Sequence, residues 1–596
     1  MIKQPVTLPP NRAWSQPNNG FIFGSVYSSR NVTFDVPGVV SLSPRTRILT
    51  RESTSGSNLD TVLAFAYGEF GATASGFSST DQYIVVTSDA LYLLAGALTN
   101  IGILTNASTP SMSAYSDGIS WNDGFYCTQT SDLEKLVAGT WTGSLMSLTS
   151  SVPHPLERSA SGNYLLVGNG NKVEKRTTGG VNTTALTFPS NYQVVWIRSD
   201  YSRTLIGARA LDGTNGAVFE WDEVAPTWTN RFDLDFSWPY SGCFRNTDFF
   251  VVSNDGRLMK YNGGGFSTAA QWPIYKGLSG FWDGNSTGII ANPVYQRSMA
   301  VINGHLTINV NSDIDYGQYD SVAYENFPSG LWDFEESTGL THRYGLTCSN
   351  DDTDFAQMQN AVGTGALFPV FIESSAPDPS DGSFFLTGAR MEDGATTYYT
   401  VVTCVDDGLN VGQLTTTRIE TSDIADDAKK LWVKYRGVFE STDLIRFKYK
   451  DQWLEGLPFS TVQGGITWTS TTVFTSTNTN FANVVAGHEV TVFIGPGAGS
   501  MRHVASISYA NPTYTVTLDE AVTGVTAADV GGVIVDNFNL LEITITNADT
   551  KGYKDIPLDQ TDPRTWVQAK AELRGSSYVT IEEVQLVSAS DIIATA

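Results

Sequence analysis

The sequence predicts an all-β protein: a β-propeller of six to eight blades, seven as the central expectation, followed by a C-terminal β-sandwich carrying an inserted small β-module. Three observations predict this. The stretch DFFVVSNDGRLMKYN (Asp248 to Asn262) reads as a β-hairpin. Its apolar run Phe249 to Val252 suits a buried strand, and Asp255-Gly256 tolerates the positive φ of a tight reversal. Such a hairpin cannot bury its faces alone and needs neighbours. The second observation is that neighbours exist, at a recurring interval. The third is that after Gly412 short hairpins give way to long alternating strands.

Related hairpins reverse near Asp89, Gly170, Gly213, Asn303-Gly304 and Asp393-Gly394. From Gly170 to Gly304 the reversals lie roughly 40–50 residues apart, the interval of a propeller blade. The first and last intervals are about double, which places a weaker unit near Cys127 and another near Cys348. No WD or kelch consensus occurs, and a set of ordinary hairpins in sandwiches is the competing fold.

Residues 1–50 are rich in proline and form an extended N-terminal arm, with short strands at Val32 to Val36 and Val39 to Leu42. The arm leads into the propeller, either docking on a neighbouring subunit or serving as an irregular lead-in. Residues 51–415 form the propeller. Its aromatics Phe219, Trp221, Trp228, Phe249, Phe250, Trp332 and Phe334 are expected to fill the spaces between blades. Residues 416–463 and 536–596 form the sandwich. There Val433 and Tyr435 alternate with Lys434 and Arg436, and Val567, Ala569, Ala571 and Leu573 alternate with Gln568, Lys570 and Glu572. Such alternation gives one buried and one wet face. Residues 464–535 read as a small barrel-like module splitting the sandwich, or as a tandem third domain. Only Ala425 to Lys430 and Asp559 to Trp566 look briefly helical.

The chain has 596 residues, 41% hydrophobic and only 16% charged, enough for two to four domains with ample core. Its net charge of −25 argues against a protein that coats nucleic acid. The N-terminus lacks the apolar segment of a secretion signal, and no apolar run is long enough to cross a bilayer, so synthesis in a cytoplasm is expected. Cys127, Cys243, Cys348 and Cys404 are scattered and read as buried reduced thiols.

No constellation supports a catalytic, cofactor-binding or metal-binding assignment. The string Gly284-Asn285-Ser286-Thr287-Gly288 matches GxSxG but lacks the strand-to-helix setting of a nucleophile elbow. The histidines His154, His305, His342, His488 and His503 show no ligand spacing, although His488 and His503 share the inserted module. The acidic clusters Asp313 to Gly317 and Asp351 to Asp354 lack the later glutamate of a calcium loop. Trp453 and Trp468 are the candidates for stacking on a carbohydrate, against a core role. Some propellers are glycosidases with carboxylates at the central channel, but the sequence cannot select such a pair.

The layout resembles the tail nozzle, or tail hub, proteins of short-tailed bacteriophages. The segment NVTFDVPGVVSLSPRTRI (Asn31 to Ile48) looks like their entry into the first blade. The ending TWVQAKAELRGSSYVTIEEVQL looks like the strand pair that closes their sandwich. The stretch STTVFTSTNTNFANVVAGHEVTVFIGPGAGSMRHVASIS is similar to small β-modules of phage virion proteins. The resemblance covers most of the chain as pattern, and the insertion departs from the simplest members. It implies a virion protein made in the host cytoplasm and assembled as a ring, usually homohexameric, at the distal end of the tail. Such a ring docks on a tail adaptor, can bear fibres or spikes, meets the host envelope at infection, and retains and then conducts the genomic DNA without sequence-specific contact. The polar loops Asn311 to Asn326 and Asp351 to Gln359 would serve as gates or contacts. The alternatives are a receptor- or carbohydrate-binding tail-tip protein and a propeller glycosidase.

Overall fold

A computed structural model of the chain describes residues 112–271 and 460–536 with short gaps, residues 297–310, and elsewhere the strands named below with a few residues beside them. Seven four-stranded antiparallel sheets form the propeller. Six are built from consecutive strands, spanning 62–105, 118–147, 156–187, 192–233, 239–271 and 299–345. The seventh takes Val370–Pro377, Phe385–Asp393 and Thr396–Val405, and its outermost strand is Arg45–Ile48. The innermost strands touch in sequence around the ring, and Val62–Gly68 of the first blade meets Val370–Pro377 of the seventh. Two distant parts of the chain therefore share one sheet and fasten the toroid.

Strand periodicity explains the cores. Successive side chains point to opposite faces. In Asp248–Ser253, Phe249 joins Trp196, Leu205 and Val218 of the fourth blade, while Phe250 joins Trp332 and Phe334 of the sixth. Phe219, Trp221 and Trp228 gather with Leu166, Leu186 and Phe188 between the third and fourth blades. The expected aromatics thus lie between blades. Phe250 and Phe334 meet edge to face at 5.7 Å, a geometry worth about 0.5–1.5 kcal/mol beyond burial alone.

The reversals themselves sort into two kinds. Gly170 (φ 62°) and Gly213 (φ 76°) join the second and third strands of their blades, and Asp89, Asp255-Gly256 and Gly394 fall in the same connection but lie outside the described residues. Asn303-Gly304 joins the first and second strands of the sixth blade. Seven blades agree with the central expectation: Met299–Ile302 of the sixth blade touches Val370–Pro377 of the seventh directly, and the weaker unit expected near Cys348 lies outside the described residues.

The expected boundaries also move. Arg45–Ile48, assigned to the arm, belongs to the propeller, and Asn410–Thr416, assigned to the propeller, belongs to the sandwich. One six-stranded sandwich sheet runs Val32–Thr33, Val40–Leu42, Thr580–Ser588, Ala428–Arg436, Tyr553–Pro557, with Val6–Thr7 also paired to Thr580–Ser588. The other runs Val26–Arg30, Asn410–Thr416, Trp566–Gly575, Leu444–Asp451, Ile543–Ile545, with Ile419–Glu420 beside Trp566–Gly575. The arm therefore docks on its own chain, adding strands to both sheets. Val26–Arg30 and Val32–Thr33 also touch the outer strand of the sixth blade, which joins the sandwich to the propeller. Where short helices were expected, Ala428 to Lys430 and Trp566 begin strands, because cross-strand pairing overrides a brief local preference.

The small module is a closed six-stranded barrel from Ser460 to Asp536. The strands that flank it in sequence, Leu444–Asp451 and Ile543–Ile545, pair with each other, so the barrel is an insertion into one sandwich sheet rather than a tandem domain. Trp468, Phe474 and Phe481 fill its interior with a shell of valines.

Candidate functional site

A network of charged groups joins the innermost strands at the propeller axis. Asp117 precedes the innermost strand of the second blade, Gly118–Trp121. Its backbone is fixed to the neighbouring strand: its N–H donates to Thr128 Oγ1 (2.8 Å) and its carbonyl accepts from Thr128 N (2.9 Å). Its carboxylate is fully buried, and Oδ2 accepts from Leu156 N at 2.8 Å. Arg297 stands two residues before the innermost strand of the sixth blade, Met299–Ile302. Its Nε donates to Asp117 Oδ1 (2.8 Å), and its Nη2 to Asp117 Oδ2 (3.1 Å) and to the Leu156 carbonyl (3.3 Å). The second and sixth blades are separated by two blades one way and three the other, so this bidentate pair spans the ring.

The network extends through neighbouring innermost strands. Glu157 lies in Leu156–Arg158 and Arg198 in Tyr192–Ser199. Arg198 Nη1 is 3.6 Å from Glu157 Oε2, and Arg198 Nε donates to the Gly242 carbonyl at 2.8 Å. Blades two to six are thereby linked by two acids and two arginines. Burial pushes the Glu157 carboxyl above its ordinary range, against the pull of Arg198 and Arg297. Burial also lowers Arg198, with Glu157 opposing that shift. For Arg297 burial disfavours the charge, but Asp117 and Glu157 outweigh it and hold the guanidinium above its ordinary value.

This arrangement acts as a strut. A bidentate arginine fixes both distance and orientation, and it is stronger than a neutral hydrogen bond in a dry setting. Among the described side chains at the axis, Asp117 and Glu157 are carboxylates that such a channel could offer a sugar. Asp117 is enclosed by Arg297 and Leu156, and Glu157 is held by Arg198 and by the Arg158 N–H (3.0 Å).

The residues singled out from the sequence are dispersed. Trp468 is fully buried against Phe474 (5.3 Å, edge to face) in the barrel core and presents no face to a sugar, because its position in Ser460–Ser470 points inward. Trp453, the GxSxG string, both acidic clusters and the loops 311–326 and 351–359 lie outside the described residues. His488 and His503 are on neighbouring barrel segments, with the Val504 N–H donating to the His488 carbonyl (2.8 Å), but their side chains take different partners. His503 Nδ1 lies 2.9 Å from Asp519 Oδ2, and His488 Nδ1 faces the Val485 N–H at 3.5 Å. His154 is buried with Nδ1 3.1 Å from the Gly168 carbonyl, and His305 Nδ1 is 3.1 Å from Glu335 Oε1. Cys127 and Cys243 are buried free thiols, and burial raises both, Cys243 to about 11. No group of three metal-ligating side chains occurs among the described residues. Sequence reasoning missed Asp117, Glu157, Arg198 and Arg297 because nothing local distinguishes them.

No protein-family model and no curated protein matches the chain. Similar solved structures include the β-propeller domain of Myceliophteria thermophila Cps50 (Swd1), at 10% identity and TM-score 0.36, covering 60% of this chain and 99% of that one. The N-terminal domain of Nup159 aligns at 10% identity and TM-score 0.33, covering 61% and 96%. Chaetomium thermophilum Raptor aligns at 11% identity and TM-score 0.37, covering 61% of this chain and 29% of that one. At such identities and scores the likenesses say nothing of function. The chain is an all-β protein with a propeller, as its own sheets show.

Proposed function

We propose that the protein is a non-enzymatic structural component of a bacteriophage tail, an oligomeric nozzle or hub ring that docks on the tail adaptor and retains, then conducts, the packaged DNA. The observation that carries this reading is the stitching of one chain through every unit. The arm enters both sandwich sheets, touches the sixth blade and closes the seventh, while the barrel is inserted in the same sandwich. A part built this way transmits load rather than opening around a substrate. The Asp117–Arg297 strut bears on the path of the DNA. A propeller axis crossed by a bidentate ion pair offers a duplex no passage, so the conduit would be a lumen between copies. The net charge of −25 suits such a lumen, since attraction to phosphates would brake ejection. Imaging of the purified protein by negative stain, with mass photometry, tests the reading. A closed ring with a central hole is expected; a monomer that persists at high concentration, or a basic lumen in an assembled ring, would overturn it.

A further inference from the structure

Turns and strand ends of the fourth and fifth blades border a cleft of about 600 Å³ that the tail reading does not use. It sits where the first turn of the fourth blade (Asp200 to Arg203), the end of its third strand (Glu220 to Asp222), the start of its outer strand (Thr229, Asn230) and the first turn of the fifth blade (Asn246, Thr247) converge. Its volume is that of an ordinary small-ligand site. At its rim Tyr201 is completely exposed (103%), so both faces of the ring are available.

We propose that this cleft binds a neutral saccharide, with Tyr201 stacking on the C–H face of a pyranose. The floor is rigid. Arg203 is held by Glu220 (3.2 Å) and Asp200 (3.4 Å) and lies over the Tyr261 ring at 5.1 Å. Around it, hydrogen-bonding capacity is left open. Asp222 Oδ1 accepts from the Val224 and Ala225 N–H groups, which hold the carboxylate below its ordinary range, while Oδ2 accepts no hydrogen bond from the described residues. The side chains of Thr229, Asn246 and Thr247 are exposed and make no hydrogen bond to the described residues. Carboxylate, amide and hydroxyl groups left open in one cleft can take up the hydroxyls of a sugar ring.

The charges select neutrality. Asp200 and Glu220 pair with the Arg203 guanidinium and Asp222 adds a third carboxylate to the lining, so a phosphate, sulfate or sialic acid meets net repulsion. Arg203 also adds a positive charge to the lining, which disfavours a metal cation, and no group of three metal-ligating side chains occurs among the described residues. A neutral polyol with one apolar face suffers neither penalty. Copies need not assemble for the cleft to exist, so this inference stands or falls apart from the ring.

The test uses the full chain on a glycan array of neutral glucose-, galactose-, mannose- and N-acetylglucosamine-containing oligosaccharides beside sialylated and sulfated ones, followed by calorimetry on the best neutral probe. Tyr201→Ala and Asp222→Ala change exposed side chains, the second also removing the acceptor for the Val224 and Ala225 N–H groups. The inference expects selective binding of a neutral glycan, weakened about tenfold by Tyr201→Ala, the scale of one aromatic contact, and also reduced by Asp222→Ala. Failure of every neutral glycan to bind, preference for the acidic glycans, or neutral binding unchanged in both variants would overturn it.

Discussion

Arg297→Met tests whether the axis is held by a strut. The substitution keeps the length of the side chain and removes its charge, leaving the Asp117 carboxylate enclosed at zero exposure with the Leu156 N–H still donating to it. Removing one partner of a buried pair costs about 3–5 kcal/mol. Arg297 retains 19% exposure, and water can reach part of the vacated space, so the expected loss is about 3 kcal/mol, roughly a hundredfold in the local folding equilibrium. Asp117→Asn combined with Arg297→Met removes both charges while Asn still accepts from Leu156 N. That double variant should lose no more than about 1.5 kcal/mol, giving a coupling of about 1.5 kcal/mol or more. A chain of several units need not unfold in one step. The readout is therefore native-state hydrogen exchange in Gly118–Trp121 and Met299–Ile302, the strands that the pair joins. If Arg297→Met costs less than about 1 kcal/mol there, or if the double variant is as damaged as the single one, the strut argument fails.

Lys570 and Glu489 form a second buried pair, 2.9 Å apart, between sandwich and barrel; Lys570→Met should cost about 3 kcal/mol, and Lys570→Met with Glu489→Leu should recover most of it in a denaturant titration. Gly207 lies cross-strand from Trp196, and a Cβ there would sit 2.0 Å from the indole, so Gly207→Ala should lower the urea midpoint of the fourth blade by an equivalent of about 2–3 kcal/mol. Burial raises the Asp519 carboxyl, but the hydrogen bonds from the His503 ring and N–H prevail and hold it at about 2. A depressed carboxyl contributes stability above its unfolded value near 3.8 that is lost as pH falls toward 2. Discounted for exposure, that contribution is about 1 kcal/mol, and His503→Ala should raise the Asp519 titration seen by carboxyl-carbon NMR. Deleting residues 1–48 removes Arg45–Ile48 from the seventh blade and should make Thr396–Val405 susceptible to limited proteolysis; unchanged resistance would refute the closure.

Much of the fold was legible because its determinants are local. Phe249 and Phe250 face opposite cores simply because neighbouring strand residues do, and Gly170 and Gly213 mark reversals because glycine accepts positive φ. The pairing of Leu444–Asp451 with Ile543–Ile545 agrees with an insertion inferred from similar flanks. The wet face expected for Lys570 was only half readable. Alternation puts it opposite Ala569 and Ala571, but the barrel covers that outer face, so Lys570 is buried with Glu489. The same limit applies to Trp468: an aromatic in an alternating strand faces either sugar or core, and only barrel closure decides which.

By itself, the sequence determined an all-β chain of repeating hairpins, the interval between them, and the change to longer alternating strands. Those follow from side-chain period and turn chemistry within a few residues. The tertiary structure narrowed six to eight blades to seven, and it alone decided that Arg45–Ile48 closes the last of them and that Asp117 meets Arg297 across 180 residues of chain. Such pairings depend on where a ring closes, and no local pattern encodes the identity of a partner brought near only by that closure.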